Sequence, residues 1–258
     1  HGRQIAVNVR GELHLDGGGE TVDWLIEMRR LPEALALASV IRGQAGVPPD
    51  DVARFAGTLS DFYLRARPIR IDPNAYRRRF EREVRENWTA LRDADYGFDP
   101  ADVDRISAAQ LDRLARQPEL FDRRVNDRRI VEAHGDLRPE HVYLTAEPVF
   151  IDCLEFNRRF RILDAAHELA YLAMECEYAG AADIGRGMFE TYRHRTGDEP
   201  PSALIDFYKA YRATLRAKIS AWHVKDHDAG ERAKWLGLAK RYLRLAARYA
   251  GDPAVISA

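Results

Sequence analysis

Apolar residues along this chain follow an alternating pattern first and a helical one later. QIAVNV, ELHL and TVDWLIEM alternate apolar with polar positions, the period of half-buried strands. DGGGE at 16–20 separates the last two and predicts a hairpin turn; its three glycines lack the spacing of a phosphate-binding loop, and no Lys-Ser/Thr follows. Beyond Pro32 the spacing is helical. Val52, Phe55, Leu59 and Phe62 form one stripe, with Asp50 or Asp51 as its N-cap, and Tyr76, Phe80, Val84, Trp88 and Leu91 form another. Asp99 followed by Pro100 predicts the start of a third helix.

The middle of the chain changes period. RRIVEA, HVYL and PVFID are short strand-like runs around the polar loop HGDLRPEH at 134–141, and together they predict a compact β segment between helical blocks. Helical spacing returns over about 163–179, 183–195, 202–225 and 230–250, with GDEPP at 197–201 as the clearest break. The expected fold is α+β, with a small β-rich piece over residues 1–32 and a large, mainly helical lobe over 33–258.

Composition narrows the function classes. With 46% hydrophobic residues among 258, the chain can bury one sizeable core or two packed lobes. A net charge of −1 supplies no long-range field for nucleic acid or an anionic membrane, and no apolar run approaches the roughly 18 residues of a membrane span. Cys153 and Cys176 form no CxxC pair, which points to two reduced thiols in a cytoplasmic protein. The oligomeric state is left open by the sequence.

Candidate chemistry gathers in about twenty residues: His134, Asp136, Arg138, Glu140, His141, Asp152 and Glu155. If HVYL and PVFID pair as a hairpin, the strand end at 148–155 returns to the loop and two carboxylates face one cavity. That suits phosphoryl transfer, in which one aspartate orients or deprotonates a hydroxyl and the other holds a metal. Plainer readings stand beside it. His134 also reads as a satisfied core histidine and Asp164 as a simple N-cap. Glu155 with Arg158, Arg159 and Arg161 reads as a solvated charged turn.

HGDLRPEH followed by VFIDCLEF resembles the aminoglycoside phosphotransferase-like branch of the protein-kinase-like fold. The pattern there is His-Gly-Asp, four residues, Asn, then a strand-borne Ile-Asp. The resemblance implies a small, incomplete β-rich N-lobe and a large helical C-lobe carrying a short catalytic β segment. It implies an ATP- or GTP-dependent, Mg²⁺-assisted transfer to a hydroxyl of a small molecule, sugar or aminoglycoside-like. Asp136 becomes the base, Asp152 the principal metal ligand, and Arg138 a partner of the transferred phosphoryl group. His134 becomes a brace bonding backbone near Asp152, and Asp164 caps its helix and ties the loop down. DWLIEMRR becomes the connecting strand, with backbone around Glu27 and Met28 meeting adenine. Acidic Glu175 and Glu177 in MECEYAG, and Glu155 more weakly, become acceptor-binding candidates.

Two departures qualify the pattern. His141 stands where the family's asparagine would supply a second metal contact, and an imidazole there suits Mn²⁺ better than Mg²⁺. All five lysines (Lys209, Lys218, Lys225, Lys234 and Lys240) lie in the last fifth of the chain. The resemblance therefore places most of an N-lobe, with its phosphate-binding lysine, outside these residues. Both departures suit an alternative, a non-catalytic kinase-like module that binds a nucleotide or a partner protein. A second alternative is a metal-dependent hydrolase with His134, Asp136, His141 and Asp152 as ligands.

Overall fold

The computed structural model describes residues 2–8, 10–17, 19–27, 30–43, 46–225 and 228–251. The chain is α+β and falls into two compact units, His1–Ala34 and Leu35–Ala258. The first is an antiparallel sheet of β1 (Gly2–Val7), β2 (Leu13–Leu15) and β3 (Glu20–Ile26), in the order β2-β1-β3. DGGGE is therefore not a hairpin turn. It carries the chain from one edge of β1 to the other, and Asp16 anchors it to β1 by accepting Gln4 N at 3.0 Å and Arg3 Nε at 2.8 Å. Alternation identifies strands but not which strands pair, so the pattern could not expose this.

The second unit contains the helices. A short α1 (Leu37–Arg42) leads to α2 (Pro49–Arg65), α3 (Pro73–Leu91), α4 (Pro100–Arg116) and α5 (Glu119–Asn126). Asp50 and Asp51 lie in the first turn of α2 rather than at its N-cap, which is Pro48. Asp72 and Asp99 do cap α3 and α4, accepting the amides of Ala75 and Ala101. Each stripe is buried along most of its length, but Phe62 and Trp88 are exposed. Trp88 Nε1 instead donates to Asp104.

The β segment consists of two small antiparallel pairs. β4 (Ile130–Glu132) pairs with β7 (Ile162–Asp164), and β5 (Val142–Tyr143) pairs with β6 (Val149–Phe150) in the register Val142↔Phe150. Residues 163 and 164, which the periodicity assigned to the next helix, are strand. Four long helices follow: α6 (Ala165–Tyr178), α7 (Ala182–Thr196), α8 (Ser202–Trp222) and α9 (Ala229–Tyr249). Every residue of α6 from Ala165 to Cys176 is buried, so α6 is the central helix and carries the β segment on its N-terminus. Among the described residues no helix is long and apolar enough to cross a membrane.

Candidate functional site

The loop after β4 turns at Gly135, whose φ is +89°. A Cβ there would meet Phe160 O at 3.0 Å and Leu154 Cδ1 at 3.1 Å, so both the dihedral and the space require glycine. The Gly135 amide donates to Glu168 Oε1 at 2.7 Å, and the Tyr63 hydroxyl donates to Glu168 Oε2 at 2.8 Å. Glu168, buried on α6, thus ties the loop to α6 and α2. The expectation that Asp164 ties it down needs correcting. Asp164 does cap α6, accepting Ala166 N at 2.9 Å, but its carboxylate turns away to a bidentate pair with Arg124 and a bond from Tyr208.

Asp136 follows the turn and is held on both oxygens. Tyr171 donates to Oδ1 at 3.0 Å and Arg138 Nε donates to Oδ2 at 3.1 Å. Burial works to raise its pKa; the Arg138 charge, the Tyr171 hydroxyl and the more distant Arg212 charge outweigh it. The carboxyl lies below the usual aspartate range and is ionised at neutral pH.

Bonding partners fix the proton on each histidine. His134 Nε2 donates to Ile151 O at 2.7 Å and its Nδ1 accepts Asp136 N at 3.3 Å. Both nitrogens are used, so His134 braces the strand end before Asp152 and has no lone pair for a metal. That removes one ligand from the hydrolase set, and no group of three or more metal-ligating side chains occurs among the described residues. His141 Nδ1 donates to Asp136 O at 2.8 Å, so Nε2 carries the lone pair. That atom accepts a long 3.3 Å contact from Arg138 Nη2 and lies 3.3 Å from Asp152 Oδ2.

The two aspartates therefore flank one imidazole. Asp136 Oδ2 lies 3.9 Å from His141 Nδ1, and Asp152 approaches the opposite nitrogen. Asp152 is 74% exposed and adopts φ +61°, in the left-handed region. His141 Nε2 and the Asp152 oxygen are spaced as adjacent positions around a single divalent ion, which would take the place of the Arg138 side-chain contact at Nε2. A mixed N/O pair favours Mn²⁺ over Mg²⁺.

Other expected residues lie elsewhere. Glu155 is exposed and makes no hydrogen bond or ion pair among the described residues. Glu175 is buried and engaged by Tyr242 at 2.8 Å and Arg216 at 3.2 Å; burial raises its pKa against the opposing charge of Arg216. Glu177 is held by Lys209, Arg248 and Tyr249. Neither glutamate lines the cavity beside Asp136. In the first unit Glu27 follows β3 and pairs with Arg3 at 3.3 Å, while Met28 lies outside the described residues.

That cavity, about 800 Å³, is walled by α3, α6, α8 and the segment 154–163. Its lining includes Arg212, Arg216 and Lys218 of α8, Asn87 of α3, and His167 and Tyr171 of α6. Sequence patterning missed these residues and Glu168. The available signal was His167-Glu168 interrupting the otherwise apolar AAHELAYLAM, a polar pair inside a buried helix.

No family model matches the chain, and no solved structure does. The chain is similar to uncharacterised proteins of Mycobacterium bovis (strain AF2122/97) and of Mycobacterium tuberculosis (strains CDC 1551 and H37Rv). Each is 33% identical over 250 residues, covering 94% of this chain and 50% of the relative. The chain thus spans about half the length of the curated relatives it matches.

Proposed function

We propose that the chain is a protein-kinase-like phosphotransferase that moves the terminal phosphoryl group of ATP or GTP to a hydroxyl of a small molecule. One observation carries the reading: an ionised Asp136 lining a cavity, with Asp152 on the far side of the same imidazole. The acceptor lies in the cavity with its hydroxyl against Asp136. As the hydroxyl oxygen bonds to the terminal phosphorus, its proton passes to Asp136, the bond to the bridging oxygen breaks and the nucleoside diphosphate leaves. Tyr171 and Arg138 hold the carboxylate in place, and Arg138 presents its remaining N–H groups to the transferred group. His141 Nε2 and Asp152 Oδ2 would hold the divalent ion, which neutralises phosphate charge when bound.

The test is nucleotide diphosphate release with Mg²⁺ or Mn²⁺, comparing the unaltered chain with Asp136→Ala. Loss of the base is expected to lower turnover by about 10²–10⁴-fold while nucleotide binding persists. Equal turnover in the variant would remove Asp136 from the mechanism. Nucleotide binding with no turnover in either protein would favour a binding module instead.

A further inference from the structure

We propose that the cavity beside Asp136 takes an anionic acceptor, a small hydroxylated acid whose carboxylate or phosphate is held by Arg212 and Lys218. The identity of this molecule as an acceptor rests on the phosphotransfer reading; the anion site rests on the cavity itself.

Most charges around the cavity already have partners. Arg79 pairs with Glu83 at 3.0 Å, Arg82 with Glu86 at 3.7 Å and Arg216 with Glu175 at 3.2 Å. The exceptions are Arg159, which is exposed, and the buried pair Arg212 and Lys218. Arg212 and Lys218 are only 7% and 9% exposed, and neither forms an ion pair among the described residues. Arg212 Nε donates to His167 Nε2 at 2.9 Å and its guanidinium lies over the Tyr171 ring at 4.4 Å. Lys218 Nζ lies 5.1 Å from the centre of the Trp222 ring. Ring faces only partly offset the loss of water around a buried cation, so two such cations in one cavity favour a bound anion.

The neutral groups match. Asn87 is 1% exposed and lines the cavity with both amide atoms unpaired. His167 Nε2 accepts from Arg212, so its proton is on Nδ1, and that atom is also buried and unpaired. Two cations, an amide and an imidazole N–H supply the donors that an oxygen-rich anion needs. A cationic, aminoglycoside-like acceptor would instead meet Arg212 and Lys218, while Glu175 and Glu177 remain committed to their own partners.

Tyr171 sets the dimension. Its ring lies under Arg212 and its hydroxyl bonds Asp136, so the acidic group and the reacting hydroxyl sit about one phenol ring apart. That describes an acid with its hydroxyl a few bonds from the anionic group.

The experiment pairs direct calorimetric binding with diphosphate release on the full chain. The probes are glycerate and gluconate (carboxylates), glycerol phosphate (a phosphate ester), and glucose and kanamycin as neutral and cationic controls. At least one acid is expected to bind, and Lys218→Met, which keeps the stem against Trp222, should weaken it by at least about tenfold. Arg212→Gln should do the same, raising the KM for the acid and not for the nucleotide. Acid binding that depends on Lys218 but yields no diphosphate would uphold the anion site and overturn phosphotransfer. Turnover of glucose or kanamycin without acid binding would do the reverse. Failure of every acid to bind at millimolar concentration overturns the inference outright.

Discussion

Asp152 holds a left-handed backbone conformation, φ +61°, that costs a residue with a side chain about 1–2 kcal/mol. Its side chain is mostly in solvent, so packing does not compensate. What the conformation achieves is to bring Oδ2 within 3.3 Å of His141 Nε2. Asp152→Gly should therefore raise the unfolding free energy by up to about 1 kcal/mol in a denaturant titration, because glycine reaches positive φ freely. Under the proposed phosphotransfer, metal-dependent diphosphate release should be abolished in the same protein. A variant that is less stable would show the conformation to be unstrained. Asp136 and Asp152 were legible in the sequence because the first sits in a polar loop between strand-like runs and the second is the carboxylate that closes one of those runs. Glu168 and Tyr171, which hold the loop and its carboxylate, were not. They lie on a helix buried on all sides, where spacing carries no sign of which way a side chain faces.

At the level of elements, one buried arginine joins three of them. Arg124 of α5 makes bidentate contacts with Asp164 at the start of α6 and with Asp198 after α7, and Tyr192 of α7 donates to Asp198 at 2.6 Å. Burial works to raise the Asp198 pKa, but the Arg124 bonds and charge lower it below the ordinary 3.8. With the folded pKa depressed, Asp198 contributes stability fully above the unfolded value, and loses it as pH falls below 3.8 through the folded value. Arg124→Met should cost about 3–5 kcal/mol at neutral pH, because buried Asp164 loses its counter-ion and Asp198 keeps only Arg129, 3.7 Å away. It should also reverse the sign. The variant should gain stability on mild acidification, as Asp198 takes up a proton, where the unaltered chain does not. Melting temperatures across that range read the difference, and parallel profiles would show the triad to be electrostatically idle. The helices themselves were legible from their stripes and caps. Strand order was not: β2 and β3 both pair with β1, and alternation fits either arrangement.

Across the whole molecule, the second unit contains its own core. Phe55, Leu59, Leu137, Leu169 and Met188 pack in one cluster, Phe80, Phe121 and Phe207 in another, and Tyr171, Met174 and Tyr242 in a third. Leu35 O accepts Leu144 N at 2.8 Å and Ala36 bridges to Tyr143, so this unit begins with residues that belong to its β segment. A chain of residues 33–258 should retain its helical circular dichroism and unfold in one cooperative step. A molten, uncooperative transition would show that the first 32 residues are needed for its packing. The α+β division was visible in the change of period after Pro32. The cavity was not, because its lining comes from α3, α6 and α8, positions far apart in sequence that only packing brings together.

Glu168 has a mechanical consequence. One of its oxygens carries the Gly135 amide and the other the Tyr63 hydroxyl, so a single rigid strut links α2, which contributes no chemistry, to the turn immediately before Asp136. A displacement of α2 by even a fraction of an ångström would be transmitted to Asp136, so under the proposed phosphotransfer a change remote from the cavity would detune turnover with every cavity residue intact.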